Sequence, residues 1–116
     1  MRLLLDTHLL LWAAYQPHRI PARAHALIED PENELFFSAA SIWEIAIKAG
    51  LGREDFSVDA LELIAGLRAN TYTEIAVEAS HCLGLAYLPA LHSDPFDRLL
   101  LCQADALGLL LLTADP

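Results

Sequence analysis

The stretch LLLDTHLLLWAAY, residues 3–15, decides the architecture. Three consecutive leucines, Leu3 to Leu5, carry no polar alternation, which is the pattern of a short strand buried on both faces. Asp6 and Thr7 interrupt the run, and the apolar block at residues 9–15 then has the length of two helical turns. A strand passing directly into a helix opens a βα unit. The same order returns in LFFSAASIWEIAIKAG, residues 35–50, where an apolar run over 35–37 meets Ser38 and a helical pattern fills 39–49. Gly50 and Gly52 are expected to stop that helix.

Working outward, Pro21 stands where the first residue of a helix over 22–29 belongs, with Ala24, Leu27 and Ile28 on one face. Ser57 reads as the N-cap of a helix over 58–70, in which Ala60, Leu63, Ile64 and Leu67 keep i, i+3, i+4, i+7 spacing. Residues 72–77 read as a third strand, 78–87 as a short helix and 88–93 as a loop. A helix then runs from Asp94-Pro95 to about residue 107, and residues 109–112 form a fourth strand. Alternating strands and helices predict an α/β domain: a mostly parallel central sheet of about four strands, with helices on both faces. No internal repeat, low-complexity tract or linker divides the chain, so residues 1–116 are expected to form a single domain.

Composition sets further bounds. With 55% hydrophobic and 20% charged residues the chain has the means to build a core, which excludes intrinsic disorder. The longest apolar runs, residues 9–15 and 106–112, fall far short of the ~18 residues of a membrane span. Asp6 and His8 interrupt the segment where a secretory signal would be continuously apolar, so a cytoplasmic location is expected. Cys82 and Cys102 show no CxxC spacing and read as reduced core residues. Sixteen acidic against seven basic side chains give a net charge of −9, which excludes broad, sequence-independent nucleic-acid binding through a basic surface.

In parallel sheets ligands bind at the carboxyl ends of the strands. Asp6 closes the first strand, Glu44 lies one to two turns into the helix after the second, Asp94 and Asp97 open the late helix, and Asp115 follows the fourth strand. Each has an ordinary structural explanation. Asp6 and Asp94 can cap helices, Ser41 to Glu44 matches an S-x-x-E capping box, Glu44 can pair with Lys48, and Asp115 can serve a turn. All five on one sheet edge is a different matter. Two carboxylates 4 Å apart repel by about 4 kcal/mol at an effective dielectric of 20, so a cluster needs protons or cations, and a hard divalent ion such as Mg²⁺ or Mn²⁺ suits an all-oxygen set.

These strings together, Leu3 to His8 with Leu11 and Trp12, Phe37 to Ile45 with Lys48, His92 to Arg98, and Leu112 to Asp115, resemble the PIN-domain family. Within it they are most similar to the VapC-type toxin ribonucleases of toxin-antitoxin pairs. The resemblance runs the length of the chain, except that the family continues past its Thr-x-Asp string with a last strand and loop, which this sequence is expected to lack. It implies a Mg²⁺- or Mn²⁺-dependent endoribonuclease, usually a homodimer, acting on RNA and inhibited by a cognate antitoxin. Asp6, Glu44 and Asp97 match the principal acidic positions and Asp115 the less uniform fourth, with Asp94 an additional carboxylate. Thr7, Ser38 and Thr113 match small hydroxyl positions beside the acids, and Arg98 is placed to contact phosphate or cap a carboxylate.

His8 and His92 read as positioning or substrate-contact residues, because the hard-cation site favours oxygen. His18, His25 and His81 lack ligand spacing. Trp12 and Trp43 read as core, with base stacking the lesser alternative. Two other functions stay open: a catalytically inactive PIN-fold binding or scaffold protein, and an aspartate-based phosphotransfer enzyme using Asp6 as nucleophile.

Overall fold

The computed structural model describes residues 1–51, 58–87 and 94–114. Its four strands are β1 (Arg2–Leu5), β2 (Glu34–Ser38), β3 (Thr73–Ile75) and β4 (Leu110–Leu112), all parallel, in the order β3-β2-β1-β4. Six α-helices accompany them: α1 (Thr7–Tyr15), α2 (Ala22–Glu29), α3 (Ala39–Gly50), α4 (Ala60–Ala69), α5 (Ala79–Leu83) and α6 (Pro95–Leu107). The expected α/β architecture with a parallel sheet is the one observed.

The leucine run at the start explains the layering. Successive side chains of a strand point to opposite faces. Leu3 and Leu5 therefore enter one core with Leu9 and Leu10 of α1, Ala24 of α2, Ile45 of α3, and Leu63 and Leu67 of α4. Leu4 enters the other, with Phe36, Ile75, and Leu100 and Ala104 of α6. A strand filled on both faces can afford no polar position, which is why the run is continuous.

The chain builds β1, β2 and β3 in one direction, then crosses back to lay β4 on the free side of β1, where Leu3, Leu4 and Leu5 register with Leu110, Leu111 and Leu112. Strand order thus reverses between β1 and β4. Crevices form at such reversal points beyond the carboxyl ends of strands.

Several local expectations are corrected. Pro21 is the N-cap of α2, one residue before the helix rather than its first residue. The cap of α4 is Asp59, whose Oδ1 accepts from Leu61 N and Glu62 N, so the helix begins later than 58; Ser57 and Gly52 lie outside the described residues. Gly50 is the last residue of α3, and Leu51 caps it. The third strand shortens to three residues because it pairs only with the end of β2. Residues 78–87 divide into α5 and a 3-10 turn at Gly84–Tyr87. Cys102 is buried as expected, but Cys82 is exposed. Trp43 is 61% exposed and not in the core, since α3 buries Ala40, Ser41, Glu44 and Ile45 instead.

Among the described residues two hold left-handed backbone. Gly108, at φ 67°, ends α6, and the following Leu109 N–H reaches back to the Ala104 carbonyl at 2.8 Å, turning the chain directly into β4. Thr71, at φ 65°, does the same after α4, where a β-branched side chain is strained. Thr71→Gly is therefore expected to raise stability, and Gly108→Ala to lower it, each by about 1 kcal/mol. Urea unfolding of the two variants checks this, and a loss of stability in Thr71→Gly would contradict the strain argument.

Candidate metal centre

Asp6 is extended at the end of β1 and 8% exposed. Its Oδ1 accepts from Leu9 N at 2.9 Å, capping α1, and its Oδ2 accepts from Ala114 N at 3.0 Å. Its own N–H donates to the Leu112 carbonyl at 2.9 Å. The capping role is real, but it accounts for one oxygen. The other ties the end of β1 to the segment after β4, across the strand-order reversal.

Ser38 ends β2 and caps α3, accepting from Ala40 N at 3.0 Å. It takes the cap three residues ahead of Ser41, so the capping-box explanation of Ser41 to Glu44 does not apply. Ser41 lies inside the helix, where Thr7 Oγ1 donates to its Oγ at 3.0 Å and joins the first turn of α1 to α3. Glu44 follows one turn later, 5% exposed. Its Oε2 pairs with Lys48 Nζ at 2.9 Å, as the i, i+4 spacing suggests, while its Oε1 is buried with no hydrogen-bond partner. An unsatisfied buried acceptor costs about 1–3 kcal/mol.

Asp94 caps α6, its Oδ1 accepting from Phe96 N at 2.8 Å and Asp97 N at 3.4 Å, with Pro95 in the first turn. Asp97 stands in that turn, exposed. Its carboxyl is pushed above the ordinary 3.8, first by partial desolvation, then by the carboxylates of Asp94, Glu44 and Asp6, while His8 pulls it down. Four acids from three separate segments, together with His8, thus share one electrostatic neighbourhood. Asp115 and His92 lie outside the described residues. Arg98 donates from Nη2 to the Leu85 carbonyl at 3.1 Å.

The donor set is all oxygen, carries like charge and includes an unpartnered buried carboxylate oxygen, which suits a hard divalent cation. Among the described residues no three His, Cys, Asp or Glu side chains close on a single point as a finished cage. Charge, not shape, marks this edge. The 830 Å³ cleft lies at the opposite ends of β2 and β3, beside Glu34 and Thr73, and contains none of the strand-end acids.

One supporting residue escaped the reading of the sequence. Gln103 of α6 is fully buried; Ser38 Oγ donates to its Oε1, and its Nε2 reaches the Ala76 carbonyl and His81 Nδ1, each at 3.3 Å. His81 Nδ1 also accepts from Glu78 N at 3.1 Å. Gln103 therefore anchors the Ser38 cap from which α3 and Glu44 project. The available signal was position: it falls on the same stripe as Leu99 and Leu100, where only an apolar or internally bonded side chain fits.

A parallel α/β domain with acids gathered at its strand-order reversal defines the class. Residues 3–116 match the profile of the PIN domain, and the chain belongs to that family. Among solved structures it is similar to VapBC-1 from nontypeable Haemophilus influenzae (21% identity over 99% of this chain and 87% of that one, TM-score 0.61). It is also similar to VapBC2 from Rickettsia felis bound to a DNA fragment from its promoter (15% identity, 97% and 98% covered, TM-score 0.64). No protein of curated function matches the sequence.

The crowding of Asp97 has a signed consequence. A carboxyl whose folded-state pKa is raised binds its proton more tightly when folded, so its stabilising contribution is complete below the ordinary value and is lost as pH rises through the raised one. In chelator, Asp97→Asn is expected to be at least as stable as wild type at neutral pH, with its advantage growing as pH rises from about 4. Thermal unfolding over a pH series reads this; a variant less stable at every pH would show that Asp97 is not crowded.

Proposed function

We propose that this chain is a metal-dependent endoribonuclease, the toxin of a toxin-antitoxin pair. The observation that carries the reading is Glu44 Oε1, a buried carboxylate oxygen without a donor at the edge where Asp6, Asp94 and Asp97 gather. Asp6, Glu44 and Asp97 would hold Mg²⁺ or Mn²⁺, with Asp94 and Asp115 supporting. When bound, such an ion polarises a phosphoryl oxygen and lowers the pKa of an attacking water. The chain's own part is to fix the donors. Leu9 N–H and Ala114 N–H lock Asp6, the Ser38 cap aims α3, and Lys48 holds one oxygen of Glu44. Arg98, beside Asp97, would meet substrate phosphate.

PIN-family membership and the likeness to VapBC structures support a cognate antitoxin as partner. Ile47 of α3 and Leu51, its C-cap, are exposed apolar residues at i, i+4 spacing, a surface suited to an antitoxin segment or a second copy of the chain. No helix among the described residues is long and apolar enough to cross a membrane. A toxin acting on cellular RNA would work in the cytoplasm. A catalytically inactive scaffold on the same fold is the second reading, which a lack of metal-induced stabilisation would favour. An aspartyl-phosphate on Asp6 is the weaker one, since both of its oxygens already accept backbone N–H bonds.

Asp6→Asn and Asp97→Asn are each expected to abolish Mn²⁺-dependent RNA cleavage in folded protein. Asparagine still caps a helix, and losing one of the two Asp6 bonds costs about 1 kcal/mol. Glu44→Gln should be nearly as damaging. At metal 100-fold above Kd, wild type gains about 2.7 kcal/mol of stability and Asp97→Asn much less. Cleavage retained in both Asp variants, or equal metal stabilisation in all proteins, would contradict the assignment.

A second measurement concerns the partner. If the apolar face of α3 receives the antitoxin, Leu51→Ser is expected to weaken antitoxin binding at least tenfold while leaving RNA cleavage intact, as truncating a buried apolar anchor typically costs more than about 1.4 kcal/mol. Unchanged binding by titration calorimetry would place the partner elsewhere.

A further inference from the structure

Trp43 and Phe96 meet edge to face, ring centroids 5.1 Å apart at 70°. Trp43 precedes Glu44 on α3 and Phe96 precedes Asp97 on α6, so the ring pair bridges the two helices that carry the acids. The contact fixes the indole while 61% of the residue stays open to solvent. A tryptophan packed in the core of this chain would be turned inward. This one is oriented by an aromatic neighbour and left uncovered beside the site.

Charge economy gives it an occupant. The chain has only seven basic side chains against sixteen acidic ones. On the helices bearing Glu44, Asp94 and Asp97 the basic residues are Lys48 and Arg98, and both are engaged, with Glu44 and with the Leu85 carbonyl. Beyond the one contact that Arg98 would make, an RNA strand brought to this edge gains little from pairing its phosphates with basic side chains of these helices, the usual main source of its affinity. Stacking of an unpaired base on an aromatic ring is indifferent to the field and supplies binding where cations are scarce.

We propose that Trp43, held by Phe96, is the stacking platform for an unpaired base flanking the scissile phosphate, and so a specificity-determining residue of this chain. The proposal rests on the ribonuclease reading above. The base is read through its π-face, so duplexed RNA, whose bases are already stacked, is a poor substrate.

The test compares wild type, Trp43→Phe and Trp43→Leu on single-stranded oligoribonucleotides with Mn²⁺, scanning one abasic site along the strand. Trp43→Leu is expected to raise KM about tenfold with little change in kcat, and Trp43→Phe to recover most of the loss. One abasic position beside the cut should cost wild type a similar factor and Trp43→Leu almost nothing more. Equal KM for Trp43→Leu and wild type, or the same abasic penalty in both, overturns the platform. Trp43→Leu with unchanged RNA kinetics but weakened antitoxin binding also overturns it and assigns the ring to a protein interface. If wild type cleaves no RNA, the ribonuclease reading fails by itself. Indole fluorescence in a Trp12→Phe background then decides the platform: quenching by a single-stranded oligonucleotide but not by its duplex sustains it, and no quenching removes it.

Discussion

The hydrogen bonds that Asp6 accepts from Leu9 and Ala114 are the constraint on which the rest of the site depends. One oxygen receives the first turn of α1 and the other receives Ala114, so a single carboxylate holds the end of β1, the start of a helix and the exit from β4 in one place. The leucines on either side of β1 explain why this point is firm. Leu3 and Leu5 are committed to one core and Leu4 to the other, so β1 cannot slip by one residue without reversing every side chain. The acid at its end inherits that fixed register.

Around this anchor the remaining carboxylates are held by local contacts that oppose their mutual repulsion. Lys48 neutralises one side of Glu44, Asp94 is tied to the backbone of α6, and Gln103 secures the cap of α3 from the opposite layer. Asp97, partly desolvated and then crowded by Asp94, Glu44 and Asp6, has its proton affinity raised. The edge is therefore assembled against its own electrostatics. Folding is supported by the two apolar cores, and the cation proposed for this edge would cancel the gathered charge.

Much of this was legible in the residues. Short apolar runs ending in Asp6 and Ser38 marked buried parallel strands, and the Asp94-Pro95 start marked α6, because strand burial and helix capping are local effects written in adjacent residues. What was less legible depended on distant contacts. Ser41 had the letters of a cap but lies inside α3, since Ser38 reaches the strand end first. Trp43 had the composition of a core residue but lies on the face that α3 turns outward. Gln103 gave no chemical signal, because its value comes from Ser38 and His81, far away in sequence.

The bond between Asp6 and Ala114 spans 108 positions of the chain. Synthesis proceeds from the N-terminus, so during translation Asp6, Glu44 and Asp97 all leave the ribosome before the strand that completes their neighbourhood. β4 also supplies the Leu112 carbonyl to Asp6, and until residues 110–114 have emerged and docked, β1 lacks its partner on that side. For the proposed ribonuclease this order has a plain result: the acids are brought together only after residues 110–114 have docked beside β1, so assembly of the edge is tied to the slowest kind of contact to form, one distant in sequence.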